Sequence, residues 1–281
     1  MTVFDLPAVE ALIKAALAED VGSGDLTTQV TVDVERQARA EIRAKGDATV
    51  AGMPLIRRIC DCAGGGIRVE ELVRDGTKVR KGDVLARLSG SAHALLSVER
   101  LILNLLQQLS GVATLTARFV EAVRDTRCRI VDTRKTVPGL RALQKYAVRT
   151  GGGHNHRQGL SDGILIKNNH ITAAGGIGPA VIAARAAAAH VYKIEVECRT
   201  MSEVDEALGA GADALLLDNM TPEQLAAAVK HINGRAITEA SGGVNLDTVR
   251  RIAATGVDII SVGALTHSAP AVDLHMLLSL T

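Results

Sequence analysis

The chain has 281 residues, of which 47% are hydrophobic and 22% are charged, and its formal net charge is +1. This length and composition are typical of a globular protein with one large domain or two modest ones. The near-zero charge and the scarcity of aromatic residues argue against a nucleic-acid partner. No apolar run is long enough to span a membrane, and the first residues lack the features of a signal peptide. We therefore expect a cytoplasmic protein without a membrane partner.

The first part of the chain predicts a helix followed by antiparallel strands. Apolar residues share one face of a predicted helix at 9–18. From about residue 35 to 90, short alternating segments are separated by tight-turn signals such as Asp75-Gly76. A long helix with a broad apolar face follows from Leu95 to about Arg124, and Ser110-Gly111 predicts a bend or restart within it.

The second part of the chain predicts parallel strands alternating with helices. Short segments rich in Val and Ile recur, and the last four begin about 20 residues apart, the length of one strand–helix unit. Such spacing favours a parallel α/β architecture, for which closure into a barrel is a natural solution. The six segments begin at Cys128, Gly163, Tyr192, Ala214, Ala236 and Asp258.

Polar residues follow these predicted strands where each one ends. Because active sites of α/β barrels are built at the carboxyl ends of the strands, the sequence predicts an active site on this rim. Ionisable side chains of both signs at so many strand ends are difficult to explain by solubility alone. The rim residues are Asp132, Arg134, Lys135, Lys167, Glu197, Asp218 and Glu239, with Ser241-Gly-Gly after the last of them.

Positive charge is concentrated in one stretch of the chain. Between Arg134 and His170 there are seven Lys or Arg residues and a single acid, Asp162. This segregation indicates a site for a polyanion with carboxylates or phosphates, which arginine binds in a bidentate manner. For the basic residues of a predicted helix at 140–148, a solvated helix face is an equal alternative. A zinc site at the nearby histidines is disfavoured by their HxH spacing and by the adjacent Arg157.

Two further groups of residues predict ligand chemistry. Glu197 and Asp218 end neighbouring strands, and two carboxylates at one edge suit Mg²⁺, although ordinary ion pairs with nearby lysines are an alternative. Glycine-rich loops after the last two strands, Ser241-Gly-Gly and Val262-Gly-Ala, are placed where many barrels bind phosphate through backbone N–H groups. Each loop taken alone could be a simple turn.

Together these motifs resemble the quinolinate phosphoribosyltransferase family, and the resemblance spans nearly the whole chain. It implies an N-terminal α/β sandwich domain at 1–111, joined by the C-terminal tail at 270–281. It also implies an open α/β barrel with fewer than eight strands at 112–269. The strings that carry the resemblance are Asp132-Thr-Arg-Lys-Thr, Gly151-Gly-Gly-His-Asn-His-Arg, Leu165-Ile-Lys-Asn-Asn-His, Glu195-Val-Glu, Leu217-Asp-Asn, Ser241-Gly-Gly-Val and Val262-Gly-Ala-Leu-Thr-His-Ser.

The resemblance implies a pentosyltransferase of NAD biosynthesis. It would transfer the phosphoribosyl group of phosphoribosyl pyrophosphate (PRPP) to quinolinate with decarboxylation, giving nicotinate mononucleotide, pyrophosphate and CO₂. It also implies a homodimer in which Arg100 enters the partner's site. Carried over to this chain, the implied catalytic residues are Lys135, Glu197 and Asp218, of which the two acids hold Mg²⁺. The implied carboxylate-binding residues are Arg100, Arg134, His156, Arg157 and Lys167, and those around the 5′-phosphate are Ser241, Gly242, Gly243, Gly263 and His267.

One position departs from the family pattern, and three other functions remain open. Asn168 stands where the family usually has aspartate, so Lys167 lacks that neighbouring negative charge. The alternatives are a paralogue of the same fold associated with molybdate transport, a non-catalytic barrel that binds a phosphometabolite, and a phosphoribosyltransferase acting on nicotinate. The last is disfavoured because a single carboxylate would not require so many cations.

Overall fold

The computed structural model describes residues 2–280, which form two compact units. The first comprises residues 2–117, 137–152 and 268–280, and the second comprises residues 118–136 and 153–267. Residues 137–152, which fall inside the barrel domain as predicted from the sequence, group here with the first unit. The chain therefore leaves its second unit once, between the first two strands of that unit, and then returns to it.

The first unit is built around a four-stranded sheet. Its strand order is β12–β1–β5–β3, with antiparallel pairing throughout, as the alternating pattern predicts. Along β1 every second side chain is buried, which gives the sheet one apolar face. The elements are a 3-10 helix at Val3–Asp5, α1 (Pro7–Val21), α2 (Leu26–Thr31), β1 (Gln37–Ala44), β2 (Ala48–Thr49), α3 (Pro54–Cys62), β3 (Arg68–Glu71), β4 (Lys78–Val79), β5 (Val84–Ser91), α4 (Ala92–Ala122, whose last turn belongs to the second unit), α5 (Arg141–Thr150) and β12 (Leu274–Leu280).

The long helix α4 is continuous, so the predicted restart at Ser110-Gly111 is wrong. Both residues serve tertiary packing instead. The Ser110 hydroxyl is buried and accepts a hydrogen bond of 3.0 Å from the backbone N–H of Ala51. Gly111 allows close approach of another segment, because a Cβ there would lie 2.2 Å from the carbonyl oxygen of Pro270. The low helix propensity of serine and glycine is offset here by these tertiary contacts.

The second unit is a parallel α/β barrel that does not close, as predicted. Its six strands follow the order β6–β11–β10–β9–β8–β7, so the first two strands of the unit form opposite edges of the sheet. The elements are β6 (Arg129–Val131), β7 (Ile164–Ile166), α6 (Asn168–Ala174), α7 (Ile177–Ala187), β8 (Ile194–Cys198), α8 (Met201–Gly209), β9 (Ala214–Asp218), α9 (Pro222–Ile232), β10 (Ile237–Ser241), α10 (Val249–Ala253), β11 (Ile259–Ser261) and α11 (Ala264–His267).

Capping residues and apolar runs in the sequence account for the helices and strands of the barrel. Thr200 and Thr221 cap α8 and α9 by accepting backbone N–H groups of their first turns. Central strands contain runs of fully buried aliphatic side chains, such as those of Val196, Leu215 and Leu217. Such strands are buried on both faces, as is usual in a parallel sheet. All six strands point the same way, so their carboxyl ends meet at one edge.

Within residues 2–280, no helix combines the length and the apolar character needed to cross a bilayer. The 31-residue helix α4 is long enough, yet it carries charged residues such as Glu99, Arg100 and Arg118.

Replacing Gly111 by alanine tests the close packing against α4. We expect Gly111→Ala to lower the free energy of unfolding by about 1–3 kcal/mol, since the new methyl group would overlap the Pro270 carbonyl. Gly209→Ala is the matched control, because Gly209 also lies in a helix but its Cβ would meet open space. The control should raise the free energy of unfolding by roughly 0.5–1 kcal/mol in urea denaturation. Equal midpoints for the two variants would contradict the packing argument.

Candidate active site

A cavity of about 640 Å³ opens at the carboxyl ends of the barrel strands. It contains every predicted site residue except Arg100, which lies exposed on α4 in the first unit. The six-stranded sheet therefore brings together residues that are more than one hundred positions apart in the sequence. The predicted residues that line the cavity are Arg134, Lys135, His156, Arg157, Lys167, Glu197, Asp218, Ser241, Gly242, Gly243, Gly263 and His267.

The turn after β6 presents Arg134 and Lys135 to this cavity. The Thr133 hydroxyl accepts the Lys135 backbone N–H at 3.0 Å, and the Thr266 hydroxyl donates to the Lys135 carbonyl at 2.7 Å. Two contacts thus hold the turn from within and from the end of the barrel. The Arg134 Nε is buried and has no hydrogen-bond partner among residues 2–280. A buried guanidinium donor left unpaired is suited to an anionic ligand.

Arg157 provides a second guanidinium beside the first. Its Nη1 donates to the Gly163 carbonyl at 3.1 Å, which fixes the side chain along the wall. Burial and the positive charge of Arg134 lower the pKa of Arg157, whereas the acids Glu195 and Asp162 oppose that shift. Two neighbouring positive charges favour the binding of a negatively charged group between them.

His156 is held by hydrogen bonds at both ring nitrogens. Its Nδ1 accepts the Arg157 backbone N–H at 2.7 Å, and its Nε2 lies 3.1 Å from a carboxylate oxygen of Glu195. With Nδ1 as an acceptor, Nε2 carries the proton and donates it to Glu195. The His156 backbone N–H in turn donates to the fully buried carboxylate of Asp132 at 2.9 Å. To bind a substrate carboxylate, the ring would have to exchange one of these partners.

Glu239 lies behind this histidine, in the barrel interior. It lines the cavity, but it is only 2% exposed, and one oxygen is 3.6 Å from His156 Nε2. Burial, and then the negative charge of Glu195, raise the pKa of Glu239 to about 8. The Ser261 hydroxyl lies beside this carboxyl and opposes the shift, although the two do not reach hydrogen-bonding geometry. Burial therefore favours the neutral carboxylic acid over the carboxylate at this position.

Sequence reasoning also missed the participation of Glu195. Its signal was present in the two-residue period of β8, because Glu195 and Glu197 project from the same face of one strand. Alternation likewise places Glu239 on the same face as Ser241 in β10. The sequence pattern did not predict that these strands contact the loop that carries His156, because that contact depends on the curvature of the barrel.

Glu197 and Asp218 lie at one side of the cavity, and Arg199 bridges them. The guanidinium is 3.4 Å from Glu197 and 3.5 Å from Asp218, so one positive group reaches both carboxylates. Arg199, which the sequence analysis overlooked, is 55% exposed at its side chain, whereas the two acids are mostly buried. An all-oxygen pair of this kind fits Mg²⁺, which usually takes one or two carboxylates and completes its shell with substrate oxygens and water.

The glycine loops form the remaining wall. Gly242 and Gly243 have φ values of 94° and 62°, which favour glycine. A Cβ on Gly242 would lie 2.2 Å from the side-chain oxygen of Asn219, so the loop packs tightly against the end of β9. Gly263 precedes the short helix α11, and a Cβ there would lie 3.0 Å from Lys135 Cδ. Backbone N–H groups exposed in such turns are suited to phosphate.

Comparison with known proteins assigns the chain to a family. Residues 25–110 match the model of the quinolinate phosphoribosyl transferase N-terminal domain, and residues 112–277 match that of its C-terminal domain. The nicotinate-nucleotide pyrophosphorylase (carboxylating) of Mycobacterium leprae is 42% identical over 278 residues, covering 97% of this chain and 98% of that protein. The chloroplastic enzyme of the same name from Arabidopsis thaliana is 42% identical over 290 residues, covering 95% and 82%.

A solved structure agrees with the sequence matches. The crystal structure of NadC from Streptococcus pyogenes has a TM-score of 0.93 and 40% sequence identity, and the match covers 99% of each chain. The same cavity that gathers two arginines, a carboxylate pair and two glycine loops thus belongs to a chain that matches this family along nearly its whole length. The chain is a member of the quinolinate phosphoribosyltransferase family.

Proposed function

We propose that this chain transfers the phosphoribosyl group of PRPP to quinolinate and releases pyrophosphate and CO₂, producing nicotinate mononucleotide for NAD biosynthesis. The observation that carries the proposal is one cavity with three kinds of wall: a cationic side, a carboxylate pair and glycine-rich turns. These suit a dicarboxylate, a cation with its bound pyrophosphate, and a sugar phosphate, respectively. The names of the related proteins support the same reaction.

In the proposed site, the cationic side positions quinolinate. Arg134, Arg157 and Lys167, with the partner subunit's Arg100, would hold its two carboxylates, and His156 would orient Arg157 beside them. The unpaired Nε of Arg134 supports this role, since a bound carboxylate would supply the acceptor that it lacks. Fixing the pyridine nitrogen against C1 of the ribose makes an otherwise bimolecular step intramolecular, which accounts for a large part of the rate enhancement.

The opposite side of the cavity would bind PRPP. Glu197 and Asp218 would hold Mg²⁺ and the ribose hydroxyls, while the loops at 241–243 and 263–267 would take the 5′-phosphate. When bound, the magnesium ion would neutralise charge on the departing pyrophosphate. Lys135, next to Gly263 at the boundary of the two regions, would stabilise the negative charge that develops as the C1–oxygen bond breaks.

The proposed reaction proceeds in two stages, phosphoribosyl transfer and then decarboxylation. The bond between ribose C1 and the pyrophosphate oxygen breaks while the pyridine nitrogen forms a bond to C1, with positive charge developing on the ribose. Negative groups nearby, Glu197 and Asp218, favour that charge. The nitrogen is then part of a pyridinium, which accepts the electron pair left at C2 when the adjacent carboxylate departs as CO₂. A proton from the medium replaces the carboxylate at C2.

Purified protein incubated with quinolinate, PRPP and Mg²⁺ tests this function. We expect nicotinate mononucleotide and CO₂ in equal amounts, lost on addition of EDTA. Arg134→Ala should lower kcat/KM for quinolinate by at least about tenfold, the consequence of one lost charge-assisted contact. Nicotinate is the parallel substrate. Product from nicotinate alone, or no product from folded protein, would reject the proposed reaction.

Replacing Gly242 tests the proposed phosphate loop. Gly242→Ala should raise KM for PRPP and lower the melting temperature, because the methyl group would clash with Asn219 and alanine disfavours this φ. Gly234→Ala is the matched control: φ is also positive, at 73°, but its Cβ would meet open space. The control should lose stability from backbone strain alone and keep the KM for PRPP. Similar KM values for both variants would argue against the loop as a phosphate site.

We also propose a homodimer with shared sites, located in the cytoplasm. Arg100 is exposed on α4, where it is available to a partner subunit. The four cysteines are free thiols, three of them buried, which suits a reducing compartment. The dimer would place Arg100 of one subunit against the quinolinate held by the other.

Complementation between two inactive variants tests the exchange of Arg100. Arg100→Ala and Lys135→Ala should each be nearly inactive as homodimers, the first through KM for quinolinate and the second through kcat. After unfolding and refolding together, mixed dimers contain one site with both residues intact, so activity should return. The matched control refolds Arg134→Ala with Lys135→Ala, which lie in one site and cannot complement. No recovery in either mixture would place Arg100 in its own subunit's site or outside any site.

A further inference from the structure

Three side chains lie behind the cationic wall of the cavity, which is formed by Arg134, Arg157 and Lys167. The proposed function assigns no role to two of them, Glu195 and Glu239. His156, Glu195 and Glu239 place a ligand atom each within 4.8 Å of one another, and one oxygen of Glu239 is buried without a hydrogen-bond partner among residues 2–280. Two cavities meet here. His156 and Glu239 line both the active-site cavity and a second cavity of about 430 Å³, whereas Glu195 lines only the second.

Glu195 therefore lies on the side of His156 away from the proposed substrate. It accepts the Nε2 proton of the imidazole at 3.1 Å, and the imidazole Nδ1 accepts the backbone N–H of Arg157 at 2.7 Å. These contacts form a chain from Glu195 through His156 to the backbone of an arginine in the cationic wall. With both ring nitrogens hydrogen-bonded, the His156 imidazole has one preferred orientation. The Arg157 backbone that donates to it is held in place as well.

We propose that Glu195 and Glu239 are positioning residues for quinolinate binding, acting through the His156 imidazole on Arg157. The proposal rests on the proposed function. Loss of Glu195 would leave His156 Nε2 without its carboxylate acceptor, and the imidazole would then no longer be held beside the Arg157 backbone. An ionised Glu239 would add negative charge close to the place where a dicarboxylate binds and would repel it.

The surroundings of Glu239 support a neutral carboxylic acid at this position. It faces Glu195 from β8, the histidine from the loop before β7, Ser261 from β11 and the apolar Leu216 of β9. None of these groups is a permanent cation, and the nearby Arg157 guanidinium interacts with Glu195. The burial that raises its pKa to about 8 makes the group neutral at pH 7 and ionised above pH 8. We therefore expect quinolinate binding to weaken as pH rises through this value.

Three variants test the proposal by calorimetric quinolinate binding and by steady-state kinetics. Glu195→Gln should weaken quinolinate binding about tenfold, since a charged acceptor is lost, and should leave KM for PRPP within about twofold. Glu239→Gln keeps a neutral polar side chain of similar size, so its loss of affinity at pH 7 should be smaller, and the weakening above pH 8 should disappear. Glu239→Leu removes the polar group beside His156 and should behave like Glu195→Gln.

Asp258→Asn is the matched control, a carboxylate-to-amide change at the amino-terminal end of β11, where Asp258 accepts hydrogen bonds from Thr238. It should leave quinolinate binding unchanged. The positioning role is overturned if Glu195→Gln binds quinolinate like this control, or if Glu239→Gln retains the pH profile of the unaltered protein. Equal losses for both substrates would indicate a merely structural role. An unaltered protein that binds no quinolinate would reject the proposed function itself and the positioning role with it.

Discussion

The site depends on holding several like charges together at the mouth of an otherwise apolar barrel. Two arginines and two lysines converge there, and burial together with the positive charge of Arg134 lowers the pKa of Arg157. The parallel strands bring these side chains together, because the carboxyl ends of all six strands lie at one edge of the sheet. The repulsion is limited by acids placed just outside the cavity wall, of which Glu195 and Asp162 act on Arg157.

The carboxylate side of the cavity shows the same principle with the signs reversed. Glu197 and Asp218 would repel each other, and Arg199 lies between them. The guanidinium is more exposed than the acids, so it could move towards solvent at modest cost if the proposed Mg²⁺ took its place. Opposite charges thus occupy separate walls of one cavity, which orients two anionic substrates that would otherwise repel each other.

The sequence predicted those features that follow from local periodicity. Strand ends such as Lys167 and Asp218 could be located because each follows a short apolar run, and parallel pairing then brought them together. Features that depend on long-range contacts could not be predicted in this way. Ser110-Gly111 predicted a bend or restart of the helix. In the structure these two residues instead contact other segments of the chain, at Ala51 and Pro270. The deep burial of Glu239 could not be predicted either, because the sequence of a single strand does not show how deep a residue lies in a curved sheet.

Asn168 illustrates how a departure from the family pattern can be understood from local structure. It is the first residue of α6, and the turn before it is held by the Lys167 backbone N–H, which donates to His170 Nδ1 at 2.9 Å. That contact does not involve the side chain at 168, so the geometry of the strand end does not require a carboxylate there. Aspartate would interact favourably with the helix N-terminus but would also partly neutralise the adjacent lysine. The amide gives up the first effect and leaves the full charge of Lys167 facing the cavity. Asparagine at this position therefore gives up a favourable charge at the start of α6 but keeps the positive charge of Lys167 available to an anionic substrate.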